Sequence, residues 1–331
     1  MRGKRFRKRK ILKYSAVVLL LLLVVGTALF LLKNWEKTQG IFPTLSEEET
    51  VIEYNGQKYV PDKNVEAFLV LGLDKFEGAN DTTSYNNDKQ ADFLMLLVFN
   101  NQKKTTTAIH INRDTMAKVN ILAIDGIEVV DTVTKQIALA HTQGNGKGIS
   151  CRNTADSVSE LLYGVPVKHY MSLTMDSVAV FNDLVGGVEV TVLDDFGGVD
   201  DTLIKGEKVL LKGEHALNYV RTRYGLEDST NSTRMERQQQ YITALFEKTK
   251  ECIKNDDEFI VDASVKLSEY MVSDRSVTQL QELAKNFEEY KFEGIKSIEG
   301  ESKKGEEFME FYPDNDSIKK LVVELFYEVK K

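Results

Sequence analysis

The chain has 331 residues and a formal net charge of −8 at neutral pH, with two cysteines and four histidines. That length suits one large domain or two modest ones with a substantial core. Two cysteines are too few for a disulfide framework, histidines 110, 141, 169 and 215 lack zinc spacing, and the acidic balance does not suit binding to a nucleic-acid backbone.

The first thirteen residues, MRGKRFRKRKILK, hold eight Lys or Arg and no acid, and residues 14–32 then run for nineteen positions without a charge. About 20 apolar residues cross a hydrocarbon core of about 30 Å, so 14–32 reads as a transmembrane helix. The basic tip, 1–13, stays cytoplasmic and everything after residue 32 lies outside the cell membrane. A signal peptide is the rival reading. The apolar run is longer than an ordinary signal core, and TALFLLKNW lacks a convincing small-x-small cleavage site, which favours an uncleaved anchor. Without the tip's positive charges the remainder carries −16, so any basic cluster within it is local.

Residues 33–60 are polar and unpatterned and read as a juxtamembrane spacer; the extracytoplasmic domain is expected to occupy 61–331. Its first elements are short apolar runs with the texture of buried strands: AFLVLGL (67–73), FLMLLVF (93–99) and TTTAIHI (105–111). A long polar loop joins the first two. Asn153-Thr154-Ala155-Asp156 can cap a helix that runs through SVSELLYG and stops at Gly164. HYMSLTM (169–175) looks like a strand, Asp176 caps a helix striped by Val178, Phe181, Leu184 and Val185, and Gly186-Gly187 turns it into the strand VEVTV. Asn231 or Ser232 caps a long helix through Cys252, followed by a helix at 276–287, strands KFEGIKSI and EFMEFY, and a last helix at 315–329. The interleaving predicts a single three-layer α/β/α domain with a mixed central sheet.

YVRTRYGLEDSTNSTRMERQQQ (219–240) concentrates Arg221, Arg223, Arg234 and Arg237 in an otherwise acidic chain. If 219–224 runs extended, Arg221 and Arg223 share a face. Arg234, Arg237 and Gln238 are helix neighbours near an N-terminus that itself attracts anions. Guanidinium forks bind phosphate oxygens in pairs. The plainer alternative is surface pairing with Glu227, Asp228 and Glu236. HINRDTM (110–116) places Arg113-Asp114 at the end of a strand, where ligands of α/β sheets bind; a surface ion pair is again the alternative. Asp74 closes the first strand and Asp92 opens the second, and two carboxylates with phosphate oxygens and water suit Mg2+. A turn cap and a strand-edge charge are the plainer readings of these two. No Gly-rich phosphate loop and no Ser or Cys nucleophile signature is present.

LGLD, AD-FLMLLV, IxRDTM, NDLVGGVEV, GEHALNYVRTR and D-x5-RMERQQ, in that order beyond one anchor, resemble the LytR-CpsA-Psr family over about residues 65–250. The resemblance implies a membrane-anchored enzyme of cell-wall biogenesis. Such enzymes move a glycopolymer from a polyprenyl-pyrophosphate carrier to a peptidoglycan hydroxyl as a phosphodiester, the polymer being teichoic acid, capsule or another wall glycan. It implies that Arg113, Arg221, Arg223 and Arg234 hold the pyrophosphate, with Arg237 and Gln238 beside it. Asp74 and Asp92 match the family's magnesium carboxylates, Asp114 would orient Arg113 or assist the hydroxyl, and an apolar slot would take the polyprenyl tail. Two departures stand out: Gln90-Ala91-Asp92 replaces the family's Arg-Ser-Asp, and Ile137-Ala138-Leu139-Ala140 lacks its usual asparagine. Hydrolysis of the donor by water, and donor binding without catalysis, are the competing functions.

Overall fold

In the described part of the chain, β1 (Ile52–Tyr54) and β2 (Gln57–Pro61) form a hairpin ahead of β3 (Val65–Leu73), β4 (Ala91–Asn100) and β5 (Thr105–Ile111). The computed structural model describes residues 51–74, 88–222 and 231–330, which belong to a unit spanning Thr50–Lys331. The basic tip, the expected membrane helix, 75–87 of the first long loop and Arg223 lie outside the described residues. No helix among the described residues is long and apolar enough to cross a membrane.

A second hairpin, β6 (Met116–Leu122) and β7 (Val129–Gln136), leads through a 3-10 segment, Ile137–Thr142, into α1 (Gly148–Leu161) and β8 (His169–Thr174). Next come α2 (Asp176–Leu184), the ribbon of β9 (Val188–Thr191) and β10 (Lys208–Leu211), α3 (Glu214–Arg221) and α4 (Asn231–Asn255). The chain finishes with α5 (Phe259–Leu267), β11 (Met271–Ser273), α6 (Val277–Glu289), β12 (Lys291–Ser297), the hairpin β13 (Gly300–Lys304) and β14 (Met309–Pro313), α7 (Asn315–Phe326) and β15 (Tyr327–Val329).

The central sheet has the order β11-β8-β3-β4-β5-β12 and is mixed. The β3–β4 and β4–β5 ladders are antiparallel, whereas β3–β8 and β5–β12 are parallel. Its middle strands are near-continuous apolar runs because helices cover both faces. Leu69, Leu71 and Leu73 of β3, Leu94 and Leu96 of β4 and Ile109 and Ile111 of β5 pack on one face with Ala155 and Val158 of α1 and Val322 and Phe326 of α7. On the other face, Phe68 and Phe99 meet Leu280 and Phe287 of α6 and Phe246 of α4. A satellite cluster joins α2, the β9–β10 ribbon, α3 and α4 around Phe196 and Tyr219. A fully buried Leu in such a cluster contributes about 1.5–3 kcal/mol.

The strands expected from apolar runs are all present, and Gly186 and Gly187 (φ +83° and +97°) do make the turn out of α2, where a Cβ on Gly187 would lie 2.9 Å from the Leu211 carbonyl oxygen. Four boundaries differ from expectation. Residues 52–60, read as part of the spacer, lie in strands and their turn: β2 pairs with β1 on one side and with β15 on the other. The last helix accordingly ends at Phe326, because Tyr327–Val329 is drawn into that small sheet. Helix α1 begins at Gly148, well before the proposed cap. Asn153 is buried inside it and donates Nδ2 to the carbonyls of Ala140 (2.9 Å) and Asn120 (3.2 Å). Finally, Met175 rather than Asp176 is the N-cap of α2, and Asp176 lies in the first turn, where its charge favours the helix dipole.

Candidate functional site

The antiparallel run β3–β4–β5 brings the end of β3, the start of β4 and the end of β5 to one edge of the sheet. Leu73 pairs with Ala91 and Gly72 with Phe93, so Asp92 is the extra residue of a β-bulge and leaves the ladder. Gly72 permits this close approach: a Cβ there would sit 2.8 Å from the Phe93 Cβ. The bulge aims Asp92 across the edge at Arg113, which follows β5.

Arg113 is held from several sides. Its Nη1 donates to Asp92 Oδ1 and its Nη2 to Gln90 Oε1, while Nε lies 3.5 Å from Asp114 Oδ1. Its own carbonyl accepts from Ala138 N (3.1 Å), and the neighbouring Thr115 carbonyl accepts from Ile137 N (2.7 Å), so the 3-10 segment braces the turn. Asn153 of α1 in turn braces that segment through its bond to the Ala140 carbonyl. Gln90 stands where an arginine was expected, and its carbonyl oxygen suits Arg113, which a second guanidinium would repel. Asp114 is buried; Gln136 donates to its Oδ1 at 3.1 Å and to the Met309 carbonyl at 2.7 Å, and Phe311 N donates to the Asp114 carbonyl at 2.9 Å. The β13–β14 hairpin is thereby pinned to the site.

Arg221 arrives from the other side. It is the last residue of α3, not part of an extended stretch, and its Nη2 donates to Asp74 Oδ1 at 2.7 Å. Both side chains of this pair are about half exposed, 47% and 60%.

Arg234, in the first turn of α4, is buried and donates Nη2 to Asn231 Oδ1 at 2.6 Å. Asn231 donates Nδ2 to Asn112 Oδ1 at 2.6 Å, and that same oxygen accepts from Asp114 N at 2.9 Å. His110, on the strand below, is buried with its ring 4.9 Å from that of Phe93. Burial and then the charge of Arg234 push its pKa down to about 3, which keeps it neutral.

Arg237 and Gln238 do not join this group. Arg237 is fully buried: Nε pairs with Asp194 at 2.9 Å, Nη1 donates to the Tyr219 carbonyl at 2.8 Å, and Nη2 donates to the Thr222 carbonyl. Its guanidinium also lies 5.1 Å from the Phe196 ring. Gln238 donates Nε2 to the Val220 carbonyl at 3.1 Å. Together the two side chains cap the orphan carbonyls at the C-terminus of α3 and so fix the place from which Arg221 reaches out. Both side chains, expected beside the ligand, are engaged in this clamp.

Three guanidiniums (Arg113, Arg221, Arg234) and three carboxylates (Asp74, Asp92, Asp114) therefore gather at one edge. Among the described residues no group of three or more His, Cys, Asp or Glu forms a metal cage. The donor set fits Mg2+ only in the mode that uses one or two carboxylates and takes its remaining oxygens from phosphate and water. On the α4 side of the sheet, Val70, Phe93 and Leu97 are only partly buried although they sit on central strands, and Val70 and Leu97 pack against the cluster around Phe68 and Phe287. Cys151 and Cys252 are both free; Cys151 is buried and its pKa is pushed up to about 12 by burial, so it is no nucleophile.

The model of the LytR_cpsA_psr family matches residues 29–325 of the chain. A curated relative, the polyisoprenyl-teichoic acid–peptidoglycan teichoic acid transferase TagU of Bacillus subtilis (strain 168), is 28% identical over 251 residues, covering 75% of this chain and 73% of that protein. The TagU of Enterococcus faecalis is 26% identical over 281 residues, covering 83% and 81%. Among solved structures, B. subtilis TagV superposes with a TM-score of 0.59 at 23% identity over 80% of this chain and 96% of TagV. TagT bound to LIIa-WTA gives 0.58 at 22% identity over 84% and 93%. At these identities the two structures show a shared fold.

Proposed function

The chain belongs to the LytR-CpsA-Psr family, and from that premise we propose that it transfers a glycopolymer from a polyprenyl-pyrophosphate carrier to a peptidoglycan hydroxyl, outside the membrane in which residues 14–32 anchor it. The observation that carries this reading is the meeting of Arg113, Arg221 and Arg234 at one sheet edge, each delivered by a different element. Relatives whose names describe teichoic acid transfer to peptidoglycan support the same chemistry.

In the proposed reaction the acceptor oxygen forms a bond to the phosphorus that carries the glycopolymer. The bond from that phosphorus to the bridging oxygen breaks, and polyprenyl phosphate leaves while the hydroxyl proton passes to solvent or to a nearby carboxylate. Such transfer needs little covalent help from the protein and draws mainly on positioning and charge stabilisation. Arg113 and Arg221 would exchange their present carboxylate partners for phosphate oxygens, and Arg234 would turn its remaining N–H donors to the phosphate while Asn231 still holds it, each charge-assisted bond contributing roughly 1.5–3 kcal/mol. Asp114, beside Arg113 Nε, would orient that guanidinium. Asp74 and Asp92, released by Arg221 and Arg113, would hold Mg2+, whose charge would offset that of the diphosphate. That offset is needed because the described arginines and carboxylates cancel. Arg223 would add a further cation. The partly buried Val70, Phe93 and Leu97 would receive the polyprenyl tail, each buried methylene adding about 0.8 kcal/mol.

The test is incubation of the full chain with a polyprenyl-pyrophosphate-linked glycopolymer, Mg2+ and a peptidoglycan fragment, followed by mass spectrometry. A product joining glycan and fragment through a phosphodiester supports the reading. Free glycan phosphate in place of it would make the protein a hydrolase, and bound but unchanged donor would make it a binding protein.

A further inference from the structure

The hydrogen-bond chain Asp114 N to Asn112 Oδ1 (2.9 Å), Asn231 Nδ2 to Asn112 Oδ1 (2.6 Å) and Arg234 Nη2 to Asn231 Oδ1 (2.6 Å) joins two elements more than a hundred residues apart in sequence. One end is the turn that carries Arg113 and Asp114; the other is the first turn of α4. Asn112 is buried, so its oxygen has little water to turn to, and both of its bonds are to groups that can only donate. We propose that Asn112 and Asn231 are positioning residues of the anion site, setting the separation and orientation of Arg234 relative to Arg113.

The choice of amides has a physical reason. Arg113 and Arg221 are oriented by Asp92 and Asp74, which also subtract from their charge. Asn231 orients Arg234 through a carbonyl oxygen and subtracts nothing. A carboxylate at 231 would still accept from Arg234, yet it would meet the Asn112 oxygen acceptor to acceptor and cancel the cation. At 112 the logic reverses: only acceptor capacity is used, so a carboxylate preserves both bonds. The side chains also bridge the ends of the two segments whose arginines must face one ligand, and an error of about 1 Å in such positioning costs on the order of a hundredfold in rate.

The proposal rests on the anion-binding reading of the site, and the experiment separates the two. Full-length protein in detergent is studied by 15N NMR of arginine side chains, with the Arg234 signal assigned from Arg234→Lys, and by calorimetric titration with geranylgeranyl diphosphate. In the wild type the Arg234 guanidinium rotates slowly and the probe binds. Asn231→Ala and Asn112→Leu speed that rotation and weaken binding about tenfold, the equivalent of one lost charge-assisted bond. Asn112→Asp keeps the rotation slow, and Asn231→Asp keeps it slow but weakens binding. Asn231→Ala adds no further loss in an Arg234→Ala background. Unchanged rotation in Asn231→Ala and Asn112→Leu, or losses that add in the double variant, overturn the proposal. If Asn231→Ala does not fold, the contrast between Asn112→Leu and Asn112→Asp decides it alone. Faster Arg234 rotation in a protein that binds no diphosphate would uphold the relay and sink the donor reading.

Discussion

Arg221 Nη2 and Asp74 Oδ1 meet at 2.7 Å, tying the last residue of α3 to the residue that follows β3. Half-exposed pairs of this kind contribute about 0–1 kcal/mol to stability. The pair is therefore poorly explained as a structural brace, and its value lies in where it holds a guanidinium.

Arg221→Ala is expected to leave the unfolding midpoint within about 1 kcal/mol of wild type while lowering transfer by about a hundredfold or more, the usual cost of removing one charge-stabilising donor. Arg113→Lys is expected to lose as much, since an ammonium cannot reproduce the fork that contacts Asp92 and Gln90. Product formation by both variants at wild-type rates would contradict the assigned roles.

Arg237 gives the opposite pattern. Arg237→Ala strands Asp194 and frees the carbonyls of Tyr219 and Thr222 in a buried setting. Urea denaturation should show a loss of about 3–5 kcal/mol. A variant as stable as wild type but unable to bind donor would instead place Arg237 in the ligand site.

Asp156 on α1 predicts a pH effect. Burial pushes its pKa up from 3.8 to about 7, partly opposed by Arg152, and its Oδ2 has no hydrogen-bond partner among the described residues. The folded state therefore holds a proton that the unfolded chain releases above about pH 4. Stability linked to this group is full below that pH and falls as the pH rises through 7, by roughly 4 kcal/mol in all. Asp156→Asn should flatten the fall, raising the melting midpoint at pH 8 and leaving it unchanged at pH 4. Equal midpoints for the two proteins at pH 8 would show that Asp156 is unperturbed.

Metal removal tests Asp74 and Asp92. Chelation is expected to stop transfer and added Mg2+ to restore it, whereas Asp92→Asn should raise the Mg2+ concentration needed for half-maximal rate several-fold, the loss of one of two carboxylate ligands. Undiminished turnover in excess chelator would exclude the assigned metal role.

The central strands were legible because burial on both faces writes continuous apolar runs, as in AFLVLGL and FLMLLVF. Arg221 and Arg234 were legible as unusual charge in an acidic chain, and Arg113 from its place at the end of a strand. That Arg237 and Gln238 turn to the end of α3 has a definite reason. Helical spacing puts them on the face of Arg234, but that face is broad enough to meet both the sheet edge and the end of α3, and spacing does not say which neighbour each side chain finds. The link between Asn112 and Asn231 has no local signature at all, since each amide alone reads as a turn or cap residue. Strands β1 and β2 were missed because IEY and QKYVP are short and largely polar, so that neither alternation nor apolar content marks a strand.

Pairing of β2 with β15, with Pro61 opposite Tyr327, joins strands from opposite ends of the described residues. Such a ladder closes one of the longest loops the chain can make, and contacts of that separation form late. Synthesis proceeds from the N-terminus, so β2 waits without its second neighbour until Tyr327–Val329 have emerged. The small sheet around β2 is thus completed by its last strand in sequence, long after its first hairpin could form.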